Sequence, residues 1–396
     1  MTTSGAKLDH GESPIALLKS HGQAIWLDFI RRNMITSGEL TRLVETDGVS
    51  GVTSNPTIFE KAIAGSDDYA AQIEDICRQT PDLPPREVYD LLASKDIQDV
   101  ADVLKPVHAQ TKGSDGYVSI EVSPGVANDT QDTIAEARHL WKLVGRRNLM
   151  IKVPGTVAGV PAVRALTAEG INVNITLLFA RDMYEAVAHA FIDGLEDRVR
   201  LSSGNSARLD DMASVASFFV SRIDTSVDAQ LTEKLKTASE RDRVRLERLF
   251  GKVAIANARL AYQSYKQMFS GPRWQALAAR GARPQRLLWA STSVKNPRYR
   301  DVMYVDELIG PDTVNTVPVE TLDAYRDHGR PSASLEANLT EAKATLDELA
   351  AVGISLAQVT DDLVVDGVRK FQEPFDKLMA TLERRCRAAT GARTGK

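Results

Sequence analysis

Short apolar runs alternate along the chain with longer segments that have helical periodicity. This alternation is typical of parallel β-strands joined by crossover helices. It predicts eight strands, each followed by helical sequence, which is the order of a closed (β/α)8 barrel. The predicted strands are residues 24–29, 51–54, 117–122, 149–154, 172–179, 215–222, 286–292 and 313–318.

The segments between the strands carry helix signals of their own. Residues 129–145 place apolar side chains at three- and four-residue steps and end at Gly145, which predicts a helix that stops there. Thr36 and Glu39 have the spacing of a capping box and predict a helix start. An open doubly wound sheet is the alternative architecture, but the first strand-to-helix turn lacks G-x-G-x-x-G, so a dinucleotide-binding crevice has no support.

The chain is longer than a barrel needs. It has 396 residues, whereas a (β/α)8 barrel typically takes about 250. We expect residues 1–396 to form a single barrel domain, with the barrel core in 20–325 and a C-terminal helical extension in 330–392. The charged helical stretch 228–268 predicts extra helices after strand six. An apolar stripe in 363–382 predicts a helix that packs against the barrel rather than against a partner.

Charge and hydropathy exclude two classes of partner. Lys and Arg total 49 against 53 Asp and Glu, with no long block of one sign, so the electrostatic footprint of a nucleic-acid binder is missing. No run approaches the roughly 20 apolar residues that span a bilayer. The polar opening, residues 1–14, does not resemble a targeting segment. We therefore predict a cytoplasmic protein with no nucleic-acid or membrane partner.

Cysteine and histidine spacing gives no metal site. Cys77 and Cys386 lie far apart, without metal-ligand spacing or a paired framework, which predicts unpaired thiols in a reducing compartment. His108, His139 and His189 fall in predicted helices with no partner at metal-ligand spacing. We therefore expect no metal.

Polar residues interrupt the ends of the first six predicted strands. In a barrel, side chains at the carboxyl ends of the strands face the mouth where active sites are built. Burying several polar groups at one end reduces stability unless they serve a site. The residues that the barrel would bring together are Asp28, Asn55, Glu121, Lys152, Asn174, Thr176 and Arg222.

Lys152 is the most informative of these residues. It lies between Ile151 and Val153, and a lone buried ammonium is unfavourable unless it is paired or has lost its proton. A neutral lysine amine can attack a ketone or aldehyde and form a Schiff base. A structural lysine that reaches water, or pairs with Glu121 or Asp28, explains the same run, so both readings stay open at this point.

Four segments together resemble a known family. "GVTSNPTIF", "IKVPGT", "GINVNITLLF" and "SFFVSRID", in this order and spacing, resemble the transaldolase family, and its longer bacterial members most closely. The resemblance covers roughly residues 20–325 and implies a class I aldolase-like barrel with a Schiff-base lysine on the fourth strand. The strand count independently places Lys152 on the fourth strand.

The resemblance also implies catalytic roles. Lys152 would be the nucleophile, and Asp28 would be the general base that takes a hydroxyl proton during carbon–carbon cleavage. Glu121 and Thr176 would orient the water that takes part in forming and breaking the carbinolamine.

Substrate contacts follow from the same resemblance. Arg222 in "FFVSRID" matches the family's arginine, and a guanidinium suits the bidentate geometry of a phosphate. Many members have a second arginine after strand seven, where this chain offers Lys295 as a substitute point charge, with Ser293 nearby. The residues implied to bind substrate are Asn55, Asn174, Ser217, Arg222, Ser291 and Lys295.

The activity implied is transfer of a dihydroxyacetone unit from sedoheptulose 7-phosphate or fructose 6-phosphate to glyceraldehyde 3-phosphate or erythrose 4-phosphate. This reaction belongs to the non-oxidative pentose phosphate pathway and needs no metal or organic cofactor. Its partners would be small sugar phosphates, and the sequence leaves monomer and homodimer both open.

Two other functions fit parts of the sequence. A lysine aldolase that releases free dihydroxyacetone would share Lys152, but such aldolases are far shorter. A catalytically silent barrel that binds sugar phosphates would be indicated by loss of Lys152, Asp28 or Glu121, and all three are present.

Overall fold

Eight parallel strands close into a barrel in the computed structural model, which describes residues 13–202 and 208–391. Each strand pairs with the next, and β8 returns to pair with β1 through five residue pairs from Gln23–Thr313 to Leu27–Val317. The strands are β1 Gln23–Leu27, β2 Gly51–Thr53, β3 Tyr117–Glu121, β4 Leu149–Pro154, β5 Val173–Leu178, β6 Ser214–Phe219, β7 Arg286–Ala290 and β8 Thr313–Val317. The predicted (β/α)8 barrel is confirmed, and all eight predicted strands are present.

Helices surround the barrel and fill the connections. Before β3 they are α1 Pro14–Ser20, α2 Arg32–Thr36, α3 Glu39–Thr46, α4 Pro56–Phe59, a π-helical turn Glu60–Ala64, α5 Ala70–Gln79 and α6 Pro85–Gln110. Up to β6 they are a 3-10 turn Pro124–Val126, α7 Thr130–Val144, α8 Gly159–Glu169 and α9 Arg181–Leu201. After β6 they are α10 Ser221–Leu235, α11 Glu240–Glu247, α12 Val253–Met268, α13 Pro272–Ala278, α14 Met303–Asp306, α15 Val319–His328, α16 Leu339–Ala351 and α17 Leu356–Gly391.

The extra length is used where the sequence predicts it. Helices α10 to α13 all lie between β6 and β7, and α16 and α17 follow the barrel. Helix α17 buries the apolar stripe of residues 363–382 against α5, α6 and the segments around the barrel mouth, which confirms that this stripe packs on the barrel.

The predicted ends of two helices can be compared with the structure. Helix α7 begins at an Asp129 cap, whose carboxylate accepts the Asp132 N–H at 2.8 Å, and ends at Gly145 with φ +59° as predicted. The helix start predicted here is confirmed, because α3 begins at Glu39, but the capping box of Thr36 and Glu39 is wrong. The Thr36 hydroxyl donates to the Arg32 carbonyl at 3.2 Å inside α2, and the N-cap of α3 is Gly38, with φ +79°.

The sixth strand is shorter than its apolar run. Residues 215–222 were predicted as one strand, but β6 ends at Phe219 and α10 begins at Ser221, which places Arg222 in the first turn of a helix. A short apolar run that continues into a buried helix does not reveal its boundary by periodicity.

One glycine allows close packing in the sheet. A Cβ at Gly51 would lie 2.4 Å from the indole of Trp26 on the neighbouring strand. The buried Trp26 donates its indole N–H to Asp115 at 2.8 Å, which satisfies the indole's one polar group. The bare backbone of β2 therefore accommodates the largest side chain of β1.

The two cysteines are joined, and the prediction of unpaired thiols is wrong. Cys77 on α5 and Cys386 on α17 form a disulfide with a Cα–Cα distance of 5.1 Å. Their separation of 309 residues hides the pairing in the sequence, because only the packing of α17 across α5 brings them together.

In the described parts of the chain, no helix is both long enough and apolar enough to cross a membrane. Residues 1–12, which make up most of the opening segment that lacks targeting features, lie outside the described residues.

We expect Cys386→Ser to lower the free energy of unfolding by roughly 2 to 4 kcal/mol under non-reducing conditions, because the crosslink restricts the unfolded chain. Denaturant titration with and without a dithiol reductant measures this, and reduction should bring the wild type to the level of the variant. Cys77→Ser is the matched control and should behave alike. Two alkylatable thiols in unreduced, unfolded wild type would contradict the bond.

Candidate active site

Lys152 is buried on β4 and paired. Its Nζ lies 3.0 Å from the Glu121 carboxylate and donates to the Ser54 carbonyl at 2.9 Å. The register of β3 and β4 places Glu121 directly beside Lys152, so both side chains leave the sheet at the same level. A carboxylate and a carbonyl therefore offset the unfavourable burial of the ammonium.

Asp28 stands one residue past β1. Its backbone N–H donates to the Val317 carbonyl at 2.8 Å, which continues the pairing of β1 with β8. Its carboxylate accepts the Thr53 hydroxyl at 2.7 Å, and Thr53 lies 2.8 Å from the Thr316 hydroxyl. Desolvation raises the pKa of Asp28, while Lys152 and the Thr53 hydrogen bond act in the opposite direction.

The second carboxyl group of the site behaves in the same way. Burial raises the pKa of Glu121, an effect that the neighbouring Lys152 partly offsets and that the charge of Asp28 reinforces. Two carboxyl groups with raised pKa therefore share the electrostatic field of one lysine, which is an arrangement suited to moving protons.

Polar side chains of the neighbouring strands lie beside the lysine, because the register of β4 and β5 pairs Lys152 with Asn174. Asn174 donates its amide to Ser119 at 3.0 Å and accepts the Ser217 hydroxyl at 2.7 Å, so both ends of the amide are held. Thr176 is fully buried, and its hydroxyl has no hydrogen-bond partner within the described residues. A buried hydroxyl without a partner is available to a bound water or substrate.

The backbone around Thr176 is irregular. The pairing of β5 with β6 shifts between Ile175 and Leu178, and Leu177 has φ +59°. A leucine in the left-handed region costs about 1 to 3 kcal/mol, so the surrounding packing must hold it there. A bulge of this kind changes the direction of neighbouring side chains, and it lies next to the cavity.

Above these groups opens a cavity of about 960 Å³ at the carboxyl ends of the strands. Glu121 and Asn174 lie behind its wall and reach it through Lys152 and Ser217 respectively. The other predicted site residues line it directly: Asp28, Asn55, Lys152, Thr176, Ser217, Arg222, Ser291 and Lys295.

Arg222, in the first turn of α10, places a guanidinium at the cavity. Burial lowers its pKa, and its Nη1 is buried without a hydrogen-bond partner among the residues described. Ser291, with φ +55°, places its hydroxyl 3.0 Å from that of Ser221 at the start of α10. The Lys295 ammonium is exposed and donates to Ser293 at 2.6 Å.

Sequence comparison identifies the family. Residues 25–382 match the profile described as Transaldolase/Fructose-6-phosphate aldolase. The chain belongs to this family. The Transaldolase of Trichodesmium erythraeum is 48% identical over 376 residues, which are 94% of this chain and 97% of that protein. Transaldolase 2 of Nostoc sp. strain PCC 7120 is 50% identical over 372 residues, which are 92% of this chain and 96% of that protein. The Transaldolase of Thermobifida fusca is 47% identical over 379 residues, which are 96% of this chain and 100% of that protein.

The transaldolase resemblance predicted from four motifs is therefore confirmed, and the chain is an enzyme of this family. The family match extends beyond residue 325, the limit expected from the motifs, and takes in most of α17.

Several cavity residues of this transaldolase-family barrel were missed from the sequence. Arg31 and Lys61 follow the first and second strands closely, a position that could have drawn attention to them. Phe219 ends β6, and the remaining residues belong to α17, whose pattern predicted packing but did not reveal what the helix faces. The missed residues include Arg31, Lys61, Phe219, Asp362, Asp366, Lys370 and Phe371.

We expect Glu121→Leu to lower the free energy of unfolding by about 3 to 5 kcal/mol, because it leaves the Lys152 ammonium buried without a carboxylate. Lys152→Met should lower it less, because the raised pKa of Glu121 lets that carboxyl become neutral. The double variant should recover much of the loss. Urea unfolding at neutral pH measures all three variants, and losses that simply add would show that the two groups are not coupled.

Proposed function

We propose that this enzyme transfers a dihydroxyacetone unit between sugar phosphates through a Schiff base on Lys152. The observation that carries the proposal is a primary amine buried beneath a polar cavity, 3.0 Å from the Glu121 carboxylate and in the electrostatic field of Asp28. The names of the relatives, all transaldolases, support the transferase reaction.

Formation of the Schiff base begins with proton transfer. The Glu121 carboxylate accepts a proton from the Lys152 ammonium, a transfer favoured by the raised pKa of Glu121. The neutral amine attacks the C2 carbonyl of a ketose phosphate and forms a carbinolamine. Glu121 returns its proton to the departing hydroxyl, and water and an iminium result. The unpartnered hydroxyl of Thr176 suits the binding of that water.

Carbon–carbon cleavage uses the iminium as an electron sink. Asp28 removes the proton of the C4 hydroxyl, the C3–C4 bonding electrons move to the iminium, and an aldose phosphate leaves. The enamine of dihydroxyacetone remains on Lys152. The same steps in reverse, with the proton returned from Asp28 to the new hydroxyl, join the unit to an acceptor aldose phosphate. A carboxyl with raised pKa suits both halves of this exchange.

Two groups of residues would bind the sugar phosphate, one at its phosphate and one at its sugar hydroxyls. Arg222 would bind the phosphate through its forked donors, assisted by Ser291 and Lys295. Asn55 uses its side-chain oxygen to accept the Ile58 N–H at 3.0 Å, which leaves its amide N–H groups for a sugar hydroxyl. Asn174 would act on the bound unit through Ser217, because it does not line the cavity and its amide is held by Ser119 and Ser217.

The proposal includes the cellular setting. The substrates would be sedoheptulose 7-phosphate or fructose 6-phosphate as donors and glyceraldehyde 3-phosphate or erythrose 4-phosphate as acceptors, in the cytoplasm and the non-oxidative pentose phosphate pathway. No metal or organic cofactor takes part in these steps, which use only the chain's own amine, carboxyl and hydroxyl groups. We also propose that residues 1–396 form one barrel domain with a helical extension.

A second candidate activity comes from the family's own description, which includes fructose 6-phosphate aldolase. Such an enzyme would hydrolyse the enamine adduct and release free dihydroxyacetone. The two activities differ in one measurable product. Incubation with fructose 6-phosphate and no acceptor should release dihydroxyacetone far more slowly than transfer proceeds when erythrose 4-phosphate is present.

The Schiff base can be trapped. We expect borohydride reduction in the presence of fructose 6-phosphate to add one reduced dihydroxyacetone unit to the peptide that contains Lys152, as measured by intact mass and peptide mapping. Lys152→Met should show neither adduct nor transfer while its circular dichroism spectrum stays native. Full transfer by this variant would exclude Lys152 as the nucleophile.

Asp28 should control the acid limb of the pH profile of kcat/KM. Because burial raises its pKa, the carboxylate that accepts the proton is lost as pH falls through a value above the ordinary 3.8. Thr53→Val removes a hydrogen bond that favours the charged form, so the acid limb of kcat/KM should move to higher pH. Thr53→Ser keeps the hydroxyl and should leave the limb in place. A limb that moves to lower pH in the valine variant would contradict the assignment.

A further inference from the structure

Helix α17 provides a wall of the catalytic cavity that the proposed transfer steps do not use. Five of its residues line the cavity, at spacings that place them on one helical face: Asp362, Leu363, Asp366, Lys370 and Phe371. The helix therefore contributes to the site as well as to the packing of the barrel.

The clearest contact of this wall is with Arg222. The guanidinium carbon lies 5.1 Å from the ring centroid of Phe219 and 5.9 Å from that of Phe371. Both distances are within the range of cation–π attraction. Phe219 ends β6 and Phe371 belongs to α17, so two separate elements hold one guanidinium from different sides.

Asp366 adds a charge to the same arrangement. It attracts Arg222 electrostatically, and its carboxylate is itself held by Arg369 and Lys370, each at 2.6 Å. The neighbouring Gly367 has little free space. A Cβ there would lie 2.8 Å from the Leu177 side chain and 3.6 Å from the Arg222 Nη1. The helix backbone therefore approaches Arg222 as closely as the packing against Leu177 allows.

The geometry points to a positioning role. We propose that Phe371 holds the Arg222 guanidinium against Phe219 so that its free donors face the cavity, and that α17 thereby sets the affinity for the phosphate end of the substrate. An arginine side chain has many rotamers, and restricting them before binding removes part of the entropic loss on binding. The Arg222 side chain forms no hydrogen bond with the described residues, so its guanidinium keeps donors for the phosphate.

This inference rests on the proposed function, because it assigns the phosphate to Arg222, but it concerns affinity rather than chemistry. Phe371 does not touch Lys152, Glu121 or Asp28 in any contact that the structure describes. Loss of its ring should therefore raise KM for phosphorylated substrates and leave kcat nearly unchanged. A ketose without phosphate makes no use of Arg222 and should be unaffected.

The test is Phe371→Leu, which removes the ring and keeps an apolar side chain. We expect KM for fructose 6-phosphate to rise on the order of 3- to 10-fold, with kcat within about twofold of wild type. Phe371→Tyr keeps an aromatic face and should restore most of the affinity. The borohydride adduct on Lys152 should form in every variant at saturating substrate.

Phe375→Leu is the matched control. Phe375 lies four residues further along α17, is also buried, and packs edge-on against Tyr89 at a centroid distance of 5.5 Å rather than against Arg222. The substitution removes a ring of the same size from the same helix. Its KM for fructose 6-phosphate should equal that of the wild type, and thermal melts of both variants report any general loosening of α17.

A second measurement separates this inference from the proposed function. Binding of inorganic phosphate to the wild type, Phe371→Leu, Arg222→Ala and the double variant should show that the leucine substitution weakens binding only while Arg222 is present. Equal weakening in both backgrounds, or a KM rise for fructose that matches the rise for fructose 6-phosphate, would overturn the positioning role. Failure of the wild type to transfer at all would overturn the proposed function and leave the phosphate measurement to decide the role of Phe371.

Discussion

Burial of the Lys152 ammonium on β4 dictates which groups must surround it in the site. Its burial is tolerable only because the Glu121 carboxylate and the Ser54 carbonyl meet it within 3.0 Å. These partners come from two other strand ends, so the closed barrel and its register are conditions for the pair to exist. The same low-dielectric surroundings raise the pKa of Glu121 and Asp28, which makes a stable arrangement also a reactive one.

Two parts of the fold line the cavity, and each has a different proposed role. The barrel strands hold the groups that would form and break bonds, on a rigid frame with few alternative positions. Helix α17, which crosses the mouth and is crosslinked to α5 through Cys386 and Cys77, faces the end where a phosphate would bind. Its Phe371 ring contacts Arg222, the residue proposed to bind the phosphate.

Much of the barrel and the buried position of Lys152 could be predicted from local pattern. Buried parallel strands give continuous apolar runs, so the eight strands were visible, and a lysine within such a run was conspicuous. Local pattern failed where a boundary or a distant partner decides the outcome. Arg222 was assigned to a strand because β6 passes into α10 without a change of hydropathy, and the Thr36 capping box was wrong because its hydroxyl closes the preceding helix.

The order of strands and helices and the polar residues at the strand ends could be predicted from periodicity within short windows, where each residue's neighbours in the chain carry the information. The family could be predicted from four short motifs in their order and spacing. Three features became visible only in the folded chain: Asn174 reaches the cavity through Ser217, Cys77 and Cys386 are paired, and Phe371 faces Arg222. Such contacts join residues far apart in the chain, and they arise only when barrel closure and the packing of α17 bring those residues together in space.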